Sequence, residues 1–263
     1  MEIQIKTAVK AGNSSAVILP RAWLNKQVKI ELMEKTPEVI LTEVLEIIKK
    51  HIKLKEIIGV YLTGSYARGE EDKDSDIDIL IITDNTDKET INEGIYSILV
   101  ISQKLLGQKL KQDLFPIGQM LKEAKPLLNS NYLDFVKIDV TKKNIKWYLD
   151  TTEDKLKIIK KALGNLKIKK NGKNINDRII YTLILRIRTL YIIKSLIKNQ
   201  DYSKKDFILL IEKISKGVSA YESYLIIKGN LKNKNKTSLE EAERLYEYLK
   251  KQFGEINQLV RKN

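Results

Sequence analysis

IIGVYLTGSYARGEEDKDSDIDILIIT, residues 57–83, is the stretch from which the fold is read. An apolar run, Ile57 to Leu62, ends at Gly64-Ser65. Ten polar-rich residues follow, and Asp76-Ile77-Asp78 opens a second apolar run, Ile79 to Ile82. Apolar runs of this length, bounded by small and polar residues, predict two strands joined through a turn. Side chains at i and i+2 of a strand leave the same face, so Asp76 and Asp78 are expected to project together. Adjacent carboxylates repel unless a cation lies between them, and hard divalent ions prefer such oxygens.

Gly64 and Ser65 fall where the first strand ends. A glycine lets backbone approach a phosphate closely, and a serine hydroxyl with neighbouring N–H groups can hold its oxygens. Phosphate grip beside an acid pair suits phosphoryl or nucleotidyl transfer. The order Gly64-Ser65, ten residues, Asp76-Ile77-Asp78 resembles the signature of polymerase-β-type nucleotidyltransferases, and most of all their minimal and kanamycin-nucleotidyltransferase-like branch. The resemblance implies two Mg²⁺ (or Mn²⁺) ions on Asp76 and Asp78. It implies a nucleoside triphosphate, ATP first, resting on Gly64 and Ser65, with Arg68 and Lys73 adding positive charge. It also implies a third carboxylate from a strand that follows a helix. Asp113 is the choice for that role, with Asp134 and Asp139 as rivals. The acceptor is a hydroxyl of a protein, an RNA or a small molecule.

With 263 residues the chain is long enough for two or three units with real cores. It has no cysteine, which excludes disulfides, thiolate metal sites and a thiol nucleophile. His51 is the single histidine and sits in a helical stretch, so zinc chemistry is not expected. No signal peptide opens the sequence and no apolar run is long enough to span a bilayer, giving the expectation of a cytoplasmic protein. The formal charge of +14 is uneven: residues 1–150 carry 22 Lys+Arg against 22 Asp+Glu, and residues 151–263 carry 26 against 12. Such an excess favours polyanions, nucleic acid first, and equally reflects a Lys- and Ile-rich composition.

Residues 1–35 read as a small β unit. Met1 to Val9 and Ala16 to Leu19 suggest strands around the turn Ala11 to Ser15, Arg21 to Leu24 a helical turn, and Val28 to Leu32 a further strand. So short a piece cannot bury a core alone and is expected to pack on a neighbour or on a second copy. The run KAGNSSAVILPRAWL with VKIEL resembles the swapped-hairpin AbrB/MazE-type DNA-binding modules. That likeness implies a homodimer and makes Lys6, Lys10 and Arg21 the candidates for DNA phosphate contacts.

Residues 36–149 form the expected catalytic domain. A helix begins at Thr36-Pro37, with Ile40, Leu41, Val44, Ile47, Ile48 and Ile52 at helical spacing. The stripe Ile91, Ile95, Ile98, Leu99 and Leu105 predicts one long helix from about Lys88 to Leu106, ended by Gly107. Lys109 to Ile117 is then read as the strand bearing Asp113, and Gly118 to Leu128 as a helix interrupted by Pro126.

From residue 150 the texture is helical, with helices expected over Glu153–Leu163, Asn176–Lys198, Lys204–Ser215, Ser219–Lys228 and Leu239–Arg261. Ser203 with Asp206, and Ser238 with Glu241, look like N-cap and N3 pairs. An up-and-down bundle is expected, so the fold class is α+β throughout: hairpin module, mixed sheet with flanking helices, helical bundle. The layout resembles the helical domain of kanamycin-nucleotidyltransferase-like proteins and the related HEPN bundles. The HEPN ribonucleases pair an Arg with a His, and no histidine follows His51. Arg186, Arg188, Tyr181 and Tyr191 share one helix and are either cleft residues or ordinary surface and core.

Overall fold

The computed structural model describes residues 4, 6, 8–31, 35–72, 75–168, 175–229 and 237–262. Its centre is a five-stranded mixed sheet. The strands are β3 (Ile57–Thr63), β4 (Ile77–Thr83), β5 (Lys88–Glu93), β6 (Tyr96–Ser102) and β7 (Lys125–Leu128), in the order β5-β6-β4-β3-β7. β3 and β4 pair antiparallel with Thr63 opposite Asp78, and β4 and β6 pair parallel with Asp78 opposite Ser97. Both central strands are nearly continuous β-branched or leucine runs because both faces are covered. On one face, Ile77, Ile79 and Ile81 pack with α1 (Pro37–Ile48) through Ile40, Val44, Ile47 and Ile48. On the other, Tyr61, Leu80 and Ile82 pack with Leu106 of α3 (Gln103–Gln112) and with Ile117 and Leu121 of α4 (Ile117–Glu123). By alternation Asp78 belongs to this second face, beneath α4.

The sequence expectation fails between residues 88 and 128. The helix expected over 88–106 is a hairpin, β5 and β6, followed by α3. Gly94 turns the chain at φ +62°, and β6 alternates buried Tyr96, Ile98 and Val100 with half-buried Ser97 and Leu99. The apolar spacing fitted a helix, but the β-branched content and the Glu93-Gly94 turn favoured strands. The expected strand at 109–117 is the end of α3 and a connection. Gly107 lies inside α3, and Asp113 is the C-cap of that helix, its amide donating to the Lys109 carbonyl. The expected helix at 118–128 is α4 followed by β7, with Pro126 on an edge strand where a missing N–H is tolerated. Gly64 to Arg68, expected as a turn, is a short helix, α2.

Beyond the sheet come a short α5 (Asn131–Asp134), α6 (Lys146–Ile168), α7 (Asp177–Ile197), α8 (Lys204–Ser215), α9 (Ser219–Gly229) and α10 (Leu239–Lys262). These match the five long helices read from periodicity, with α6 starting earlier. The Ser238–Glu241 capping box is reciprocal: the Ser238 amide donates to Glu241 Oε2 at 2.8 Å and the Glu241 amide to Ser238 Oγ at 3.2 Å. α7 is the axis of the helical core, burying Ile180, Leu183, Ile184, Ile187, Leu190 and Ile193 against its neighbours. Residues 37–263 form one compact unit containing sheet and helices, and residues 1–36 form a second.

The smaller unit contains β1 (Val9–Ala11) and β2 (Ser14–Ala16), an antiparallel pair turned at Gly12, and a 3₁₀ turn at Arg21–Trp23. Residues 28–31 are not a strand, and residue 32 lies outside the described residues. Among its described residues none is buried, while Ile18, Leu24 and Ile30 are each about two-thirds exposed or more.

Candidate active site

β3 ends and β4 begins at the same edge, so their register brings Gly64 and Asp78 together. A side chain on Gly64 would start 2.1 Å from Asp78 Oδ2 and 2.9 Å from its Cγ, and Gly64 has φ +69°. Only glycine fits a left-handed backbone pressed on a carboxylate. Burial, then the charges of Asp76 and Glu123, push the Asp78 carboxyl above its ordinary range, against the pull of Arg68 and Lys228. Asp76 immediately precedes β4 and is exposed. The Ser65 hydroxyl is half-exposed and has no hydrogen-bond partner among the described residues. Lys73 lies outside the described residues.

Arg68 closes α2 and is held by two carboxylates. Its Nε donates to Glu70 Oε2 at 2.8 Å and its Nη1 to Glu123 Oε2 at 2.6 Å. Glu123 Oε1 also accepts from the Gly64 amide at 2.8 Å, and Gln119 Nε2 donates to Oε2 at 2.7 Å. Glu70 accepts from the amide of Lys204 at 2.9 Å, where α8 begins. Burial raises the Glu70 carboxyl, but hydrogen bonds from Arg68 and from the Lys204 and Lys205 amides outweigh it and hold it below the ordinary glutamate range. The Arg68 guanidinium lies over the Tyr202 ring, 5.2 Å from its centroid, and Arg188 lies over the same ring at 5.5 Å. Tyr224 stacks on Tyr181 and Tyr221, so α7 and α9 add an aromatic, cationic wall, with Lys228 close enough to act on Asp78.

The structure brings together Gly64, Ser65, Arg68, Asp76 and Asp78. Asp113 is elsewhere engaged: Lys109 Nζ donates to its Oδ2 at 2.9 Å, and the Tyr148 hydroxyl lies 2.8 Å from its Oδ1. Asp134 and Asp139 are exposed and on no strand. The strand beside β4 offers Ser97 opposite Asp78, not an acid. Among the described residues no three His, Cys, Asp or Glu side chains are grouped so as to hold a metal ion. Of the helix residues singled out, Arg188 faces the site through Tyr202, Tyr181 stacks in the wall, Tyr191 packs edge-on to Tyr202, and Arg186 turns away to bond Thr151. Glu70, Glu123, Tyr202 and Lys228 were not read from sequence. Only Glu70, beside Arg68 in the signature, left a local signal. In the smaller unit Lys6, Lys10 and Arg21 are all exposed.

Residues 41–208 match the model of the nucleotidyltransferase domain family, and the chain belongs to that family. A protein of Methanocaldococcus jannaschii named for protein adenylyltransferase activity is 35% identical over 74 residues, 27% of this chain and 73% of that one. Two solved structures share weaker likeness. A nucleotidyltransferase-like protein from Exiguobacterium sibiricum is 12% identical, covering 85% of this chain and 77% of its own, with a TM-score of 0.37. A spectinomycin adenyltransferase from Enterococcus faecialis, solved with ATP and spectinomycin, is 14% identical over 81% and 98%, with a TM-score of 0.43. Among the described residues no helix is long and apolar enough to cross a membrane.

Proposed function

We propose that this nucleotidyltransferase moves a nucleoside monophosphate from a triphosphate, ATP first, to an acceptor hydroxyl. The observation that carries the reading is the close approach of Gly64 to Asp78, which presses the start of α2 against one acid of the pair. The donor set suits a hard cation: two carboxylates, one of them pushed toward protonation by burial and then by its acidic neighbours, with nucleotide phosphates to complete the shell. Asp76 and Asp78 would hold Mg²⁺ or Mn²⁺, which when bound neutralises charge on the phosphates and favours the deprotonated acceptor. Gly64, Ser65 and Arg68 orient the triphosphate, and Lys73 adds charge to it. The acceptor oxygen bonds to the α-phosphorus as the bond to the bridging oxygen breaks. The hydroxyl proton passes to solvent or a nearby base, and pyrophosphate leaves. Asp113 would serve as a third carboxylate only by leaving Lys109 and Tyr148.

A protein hydroxyl is the first acceptor to try, because the Methanocaldococcus relative is named for transfer to protein; RNA and small molecules follow. The test is incubation with α-labelled nucleotides and Mg²⁺, with and without cellular protein and RNA. Label should reach an acceptor and fall by at least about 100-fold with Asp76→Asn plus Asp78→Asn. Label that survives the double change would refute the reading.

A second reading concerns residues 1–36. The absence of any buried residue among those described, with exposed apolar Ile18, Leu24 and Ile30 and basic Lys6, Lys10 and Arg21, favours a module that pairs with a second copy and meets DNA phosphates. In that role the protein is a DNA-binding transcriptional regulator or antitoxin that uses its nucleotidyltransferase fold as a sensor. Mobility shift with full-length protein and with residues 37–263 tests it, and unchanged DNA binding by the shorter chain would sink it.

A further inference from the structure

If Gly64 and Arg68 are the phosphate seat, that seat already holds an anion. The Glu123 carboxylate spans both donors, accepting from the Gly64 amide through Oε1 and from Arg68 Nη1 through Oε2. These are the groups proposed above to receive phosphate oxygens, and a carboxylate presents two acceptor oxygens much as a phosphate does. Glu123 comes from α4, which covers the sheet face that carries Asp78, and its side chain is only 9% exposed.

The arrangement has a cost that is visible in its surroundings. Gln119 turns its amide nitrogen to Glu123, and its own Oε1 is left buried with no hydrogen-bond partner among the described residues. Arg68 meanwhile keeps a second carboxylate, Glu70, which does not touch Gly64. Glu123 can therefore leave without stripping the guanidinium of its last counter-ion.

We propose that Glu123 is an internal occupant of the phosphate seat, and that nucleotide binds by exchanging phosphate oxygens for the Glu123 carboxylate at Gly64 and Arg68. The inference rests on the phosphate-seat reading and adds a selection rule to it. A ligand must out-compete a preformed, nearly buried ion pair, which a triphosphate with several charges does far better than a monophosphate or a nucleoside. Glu123 is thus a specificity-determining residue for polyphosphate tails.

The experiment uses the full chain and the variants Glu123→Gln and Glu123→Ala, with calorimetric binding of a non-hydrolysable ATP analogue and of AMP in Mg²⁺. Glutamine keeps the shape and an acceptor for Gly64 without the charge, so it reports even if alanine loosens the fold; thermal melts establish that each variant is folded. The expected result is tighter analogue binding by about tenfold in both variants, with a larger gain for AMP. Folded variants that bind the analogue no better than wild type, or worse, overturn the exchange and make Glu123 a supporting ligand of the site. If neither wild type nor the variants bind the analogue, the phosphate seat itself is wrong and the exchange falls with it.

Discussion

Asp78 occupies the space that a side chain on Gly64 would need: a Cβ there would lie 2.1 Å from Asp78 Oδ2. Gly64→Ala therefore combines a left-handed backbone cost of about 1–2 kcal/mol with forced movement of the carboxylate. Urea unfolding should show a loss of that size or more. Transfer should fall by about 100-fold, since small displacements of a reacting group are amplified in rate. A fully active Gly64→Ala protein would mean that Asp78 does not need its present position.

Burial, then the charges of Asp76 and Glu123, raise the Asp78 carboxyl above its ordinary value of 3.8. A folded pKa above the unfolded one means that the folded state binds the extra proton, so this group's contribution to stability falls as pH rises through that window. Asp78→Asn removes the effect. In chelator, the variant should melt higher than wild type at pH 7, and the gap should close as pH falls toward 3.8. An equal or lower melting temperature at neutral pH would contradict the crowding.

Glu70 behaves with the opposite sign. Its folded pKa lies below the ordinary value of 4.5, so its stabilisation is fully present above 4.5 and is lost as pH falls through the lowered folded value. Glu70→Gln should cost about 1–3 kcal/mol at pH 7 through weakened bonds to Arg68 and the Lys204 amide. Below the acid transition the variant and wild type should converge. Denaturant curves taken from pH 7 downward through the acid transition follow the convergence.

The unit at residues 1–36 buries none of its described residues, whereas residues 37–263 hold three apolar clusters. The chain 37–263 should therefore unfold cooperatively and keep transferase activity. By light scattering it should run as a monomer where the full-length protein runs as a dimer. A dimer that survives the truncation would place the self-association in the larger unit.

Much of this was legible in the order of residues. The two central strands followed from their apolar runs, and the five late helices from their periodicity and from Ser203 and Ser238 as caps. The region from residue 88 to 128 was not, because Ile91, Ile95, Ile98 and Leu99 satisfy a helical stripe while lying on two paired strands and the turn between them. That misreading moved Asp113 onto a strand it does not occupy. The site shows the same division. Gly64, Asp76 and Asp78 sit within one short motif, so spacing reveals them. Glu123 lies 55 residues from Arg68 and reaches it only through the packing of α4 on the sheet. No local pattern marks such a partner.

The bond from Glu70 to the start of α8 has an evolutionary consequence. The same short segment that carries the signature glycine and arginine also fastens the late helices, through Glu70 to Lys204 and through Arg68 to Tyr202. The helices are therefore not a cassette to be traded freely beneath a constant catalytic sheet. A lineage or a designer that grafts a new helical partner onto this sheet inherits a compatibility requirement at residues 68–72, and chimaeras that ignore it should lose nucleotide handling before they lose their fold.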